Sequence, residues 1–66
     1  MGNTVFKGER FQSGEVWESP RGTLYRVISV AGGEAILRKG SDGSGRKYRR
    51  YVDDIGGWSL YESEVM

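Results

Sequence analysis

Hydrophobic positions fall in short runs broken by turn-forming residues, and no window holds the i, i+3, i+4, i+7 spacing of an amphipathic helix for long. The β-rich runs are 15–18, 23–30, 35–39, 46–52 and 58–61, which predicts five short strands. Between them, Ser19-Pro20-Arg21-Gly22 places proline where a type I or II turn fixes φ, and Ala31-Gly32-Gly33-Glu34 supplies residues that tolerate positive φ at a hairpin tip. Residues 40–45 (Gly-Ser-Asp-Gly-Ser-Gly) read as a flexible hairpin loop. Asp53-Asp54-Ile55-Gly56-Gly57 reads as a short 3₁₀ turn before the last strand.

Alternation is clearest in 46–52, where Tyr48, Arg50 and Val52 face one way and Lys47, Arg49 and Tyr51 the other. The run 23–30 is apolar on both faces. A bulge near Ile28 and Ser29 would turn Tyr25, Val27 and Val30 to one inner side, as tightly curved small barrels require. The expected core is Val16, Trp17, Leu24, Tyr25, Val27, Ile28, Val30, Ile36, Leu37, Val52, Ile55, Trp58 and Leu60. Residues 1–13 carry no such order and read as an N-terminal arm, either loose or packing Val5, Phe6 and Phe11 over one end. The folded unit is 14–61, and 62–66 is an acidic tail.

Gly14-Glu15-Val16-Trp17, then Gly22 with Tyr25-Arg26-Val27, then Val52-Asp53-Asp54-Ile55 with Gly57-Trp58 and Leu60 together resemble small SH3-like barrel proteins, over roughly 14–61. Stand-alone chains of this kind resemble uncharacterised phage or prophage proteins, which open on a glycine-valine-tryptophan strand and close on a turn and a tryptophan strand. The resemblance implies an all-β, five-stranded antiparallel SH3-like barrel. Such barrels serve peptide binding, nucleic-acid binding, ribosome association and, rarely, catalysis, so the fold leaves function open.

Composition narrows the chemistry. The 66 residues make one small domain without cysteine or histidine. A disulfide, an ordinary zinc site, and Ser-His-Asp or Cys-His catalytic sets are therefore excluded, and the chain reads as a non-enzymatic binding protein without a cofactor. Asp53-Asp54 is better explained by turn capping than by catalysis or Mg²⁺ binding. The glycine-rich loop lacks the Gly-Lys-Ser/Thr ending of a P-loop and precedes a strand. The absence of cysteine leans toward a cytoplasmic setting. No basic-then-apolar leader and no long apolar segment is seen, so no membrane association is expected.

Charge is unevenly spread. Residues 35–52 carry Arg38, Lys39, Arg46, Lys47, Arg49 and Arg50 against Asp42 alone, a net of +5, while 53–66 carry −4. Arg46-Lys47-Tyr48-Arg49-Arg50-Tyr51 interleaves cations with rings, the mixture that neutralises phosphates and stacks bases. Arg38, Lys39, Arg46, Lys47, Arg49, Arg50 and Tyr51 are accordingly the candidate nucleic-acid residues; a merely solvated basic face is the other reading. If Arg50 shares the core-facing side, it must reach out or pair with Asp53, Asp54 or Glu18.

The alternative function is a protein-binding module that modulates or inhibits a host or partner protein, with Trp17, Tyr25 and Tyr61 as its surface. Trp17 and Trp58 also read as core packing, and Tyr25, Tyr51 and Tyr61 as walls of a polyproline groove. The expected state is a monomer or weak homodimer.

Overall fold

The computed structural model describes residues 10–62. They form β1 (Val16–Glu18), β2 (Leu24–Ala31), β3 (Glu34–Lys39), β4 (Lys47–Tyr51) and β5 (Ser59–Glu62). All five strands join one antiparallel sheet in the order β4-β3-β2-β1-β5. No ladder links β4 to β5 among the described residues, so the sheet is curled but not closed. Among these residues no helix is long and apolar enough to cross a membrane.

Turn chemistry sets the register. Gly32 and Gly33 adopt φ of +60° and +81° between the paired Ala31 and Glu34, the two-residue hairpin geometry whose twist matches that of its strands. The expected bulge is present: Val27 pairs with Leu37 and Ser29 with Ile36, leaving Ile28 unmatched. Its consequence differs from expectation, because Ile28 and Val30 remain 44% and 39% exposed instead of entering the core. The ladder between β1 and β2 runs only from Leu24 to Arg26, so beyond the bulge β2 is paired with β3 alone. The 53–57 segment forms two separate turns, closed by Asp54 N–H to Tyr51 O (3.1 Å) and Trp58 N–H to Ile55 O (2.8 Å), with no run of 3₁₀ helix.

The core is Phe11, Trp17, Val27, Ala35 and Leu37, with Tyr25, Val52, Ile55, Trp58 and Leu60 packed around it. Phe11 lies edge-on to Trp17 (4.8 Å) and Trp58 (5.3 Å), and its N–H donates to Val52 O at 2.8 Å. Of the two readings of the N-terminal arm, packing holds for Phe11. Val5 and Phe6, and the tail after Glu62, lie outside the described residues. Glu15 is buried as well: its Oε1 accepts from Trp17 Nε1 (2.8 Å) and from Gln12 N (2.9 Å), fixing the indole and the entry to β1.

Candidate nucleic-acid interface

Register along β3 and β4 sorts the basic residues onto two faces. Arg38 pairs with Lys47, Ile36 with Arg49 and Glu34 with Tyr51, which places Arg38, Lys47, Arg49 and Tyr51 on the outer face. Leu37 pairs with Tyr48 and Ala35 with Arg50, which places Tyr48 and Arg50 above the core. Lys39 donates its backbone N–H to Arg46 O at 2.9 Å, so Arg38, Lys39, Arg46 and Lys47 gather at one end of the hairpin.

These cations differ in how they are held. Arg50 donates Nη2–H and Nε–H to Asp54 O (2.9 and 3.3 Å), its Nη2 lies 2.8 Å from Asp54 Oδ2, and its guanidinium stands 4.9 Å from the Trp58 ring centroid. It is a built-in wall more than a free phosphate ligand. Its ion pair with Asp54 is one of the pairings the sequence offered. Arg38 donates Nε–H to Gly45 O at 2.9 Å. Arg49 reaches Glu34 at 3.8 Å with both side chains well exposed, a pairing worth little. Among the described residues, Lys39, Arg46 and Lys47 have no hydrogen-bonded or ionic side-chain partner.

The connecting loop is tied down, contrary to its reading as a flexible linker. Gly43 N–H donates to Gly40 O (3.0 Å), Gly45 N–H to Lys39 O (2.8 Å), Gly40 N–H to Leu24 O (2.7 Å), and Arg26 Nε–H to Ser41 O (2.9 Å). A Cβ at Gly45 would stand 2.8 Å from Lys39 O, so glycine here permits close backbone approach. Ser44 N–H donates to Asp42 Oδ1 at 3.1 Å. With four of its N–H groups engaged and a carboxylate among them, the loop is no anion cradle. The Ser44 hydroxyl and N–H, with nearby Arg26, hold the Asp42 carboxyl below its usual range.

The inner face carries a feature that the sequence reading missed. Tyr25 meets Tyr48 edge-on at 5.4 Å and tilts against Trp58 at 5.3 Å, and with Arg49 and Arg50 they line a cleft of about 230 Å³. A second pocket, on the other side of the two arginines, is lined by Glu34, Arg49, Arg50, Tyr51 and Asp54. Alternation had already put Tyr48 and Arg50 on the core side; the curl that brings Trp58 to them has no local signal.

The residues of the alternative protein-binding surface do not come together. Trp17 is fully buried, which corrects its place as a surface contact; Tyr25 belongs to the cleft; and Tyr61 is exposed on β5, at the sheet edge opposite β4. The polyproline groove of Tyr25, Tyr51 and Tyr61 does not form either, since Tyr51 lies on the outer face of β4. Among the described residues no group of three or more acidic side chains is placed to hold a metal ion.

No family model, curated protein or solved structure matches this chain.

Proposed function

We propose that the chain is a small SH3-like barrel, open between β4 and β5, that acts as a non-enzymatic accessory protein and contacts single-stranded nucleic acid through its β3–β4 hairpin. The observation that carries this reading is the company of cations and exposed rings on one hairpin: Lys39, Arg46 and Lys47 without side-chain partners among the described residues, Arg49 barely held, and Tyr48 and Tyr51 41% and 64% exposed. Cations without internal partners are available to displace counterions from a phosphate chain, and rings beside them give bases a stacking surface. The resemblance to phage proteins is compatible with such an accessory role. The rival reading as a protein-binding module loses its anchor with the burial of Trp17.

A mobility-shift titration with a short oligonucleotide at low salt tests the proposal. Retardation at micromolar protein is expected, weakened by Arg46→Ala with Lys47→Ala. No shift in the unaltered chain overturns it.

A further inference from the structure

The cleft of Tyr25, Tyr48 and Trp58 is lined by two arginines and no carboxylate, whereas the neighbouring pocket across the same arginines is lined by Glu34 and Asp54. Its volume, about 230 Å³, lies below the roughly 300 Å³ at which pockets for whole small molecules begin. It suits one flat group of a longer ligand. The lining decides which group. A methylated ammonium is the usual guest of an aromatic cage, but here it would lie against the Arg50 guanidinium. An aliphatic peptide side chain would cover the arginines without offering their donors an acceptor. A nucleobase has a π face for tyrosine and guanidinium alike, and it arrives attached to a phosphate.

Resting on the reading of the hairpin as a nucleic-acid surface, we infer that this cleft seats one unstacked base of a single strand. Tyr48 and the Arg50 guanidinium form its flat walls, and Arg49 takes the adjoining phosphate. Arg50 is already fixed by Asp54 and backed by Trp58, so little side-chain freedom is lost when the base arrives. Lys39 is the cross-strand partner of Tyr25, and by alternation it shares the face of Leu37 and Tyr48, where a second phosphate would meet it.

The test compares oligothymidylate with the abasic oligomer of equal length by fluorescence anisotropy, on the unaltered chain and on Tyr48→Leu and Tyr48→Phe. The unaltered chain is expected to bind the base-bearing strand about 10-fold more tightly than the abasic one. Tyr48→Leu should remove that preference, and Tyr48→Phe should retain it. Equal affinity of the unaltered chain for both oligomers, each still salt-dependent, overturns the base site while leaving the hairpin as a phosphate surface. Failure to bind either oligomer at low salt overturns both. The oligomer comparison needs no variant, so a Tyr48→Leu protein that fails to fold leaves the test intact.

Discussion

The Arg50 guanidinium stands 4.9 Å from the Trp58 ring centroid and is held from its other side by Asp54, at 2.8 Å from Oδ2. This pair joins β4 to the segment entering β5, across the gap where the sheet stays open. Arg50→Lys keeps the charge but loses both the fork onto Asp54 and the planar stack. It is expected to cost about 1–2 kcal/mol of stability in urea denaturation, against less than about 0.5 kcal/mol for Lys47→Ala. Equal costs would mean that Arg50 is no more than surface charge.

Phe11 touches both tryptophans edge-on and is fully buried. Phe11→Ala is expected to destabilise by about 3–5 kcal/mol, a large share of a small domain's stability. Thermal melting monitored by near-ultraviolet circular dichroism reports it directly, because the signal comes from the rings that Phe11 packs against. A melting temperature within a degree or two of the parent would contradict its place in the core.

Glu15→Leu leaves the Trp17 indole N–H and the Gln12 N–H without their acceptor. The expected cost is about 1–3 kcal/mol per group left unsatisfied. Glu15→Gln keeps a carbonyl oxygen for the same donors and should cost clearly less. Denaturant midpoints for the two variants test this ordering, and a more stable Leu variant would reverse it.

The β3–β4 loop gives a steric and a titration prediction. Gly45→Ala places a methyl against the Lys39 carbonyl and should cost about 1–3 kcal/mol, whereas a truly flexible linker would absorb it. Asp42 has its carboxyl held low by Ser44, so its ionised form favours the fold above the ordinary aspartate range. That contribution fades as pH falls through the lowered value. Asp42→Asn should flatten the acid limb of a stability–pH curve, and an unchanged limb would mean that the contact is not kept in solution.

How much of this was legible in the sequence depended on how local the cause was. Gly32-Gly33, the bulge after Val27 and the alternation of Lys47 through Tyr51 are set by a few neighbouring residues, and each appears where expected. Ile28 was read as core on hydrophobicity and Val30 on the bend at the bulge, but the β1 ladder ends at Arg26 and both side chains stay exposed beyond it. Glu15 was missed as a structural piece, and Phe11, which the sequence left between a loose arm and packing over one end, is held by Val52 and Trp58 from the far end of the chain. The loop at 40–45 was misread because glycine permits close contact as readily as it permits freedom. In the candidate site, the clustering of cations followed from hairpin pairing, while the aromatic cleft needed Trp58 to fold back over β2 and β4.

The dependence of oligonucleotide affinity on salt tests the proposed role of the hairpin most directly. With Lys39, Arg46, Lys47 and Arg49 on phosphates, log affinity against log salt should fall with a slope of about −3 for a single strand, and Arg46→Ala with Lys47→Ala should bring it to about −1.5. A slope that the double substitution leaves unchanged, or no binding at low salt, would contradict it.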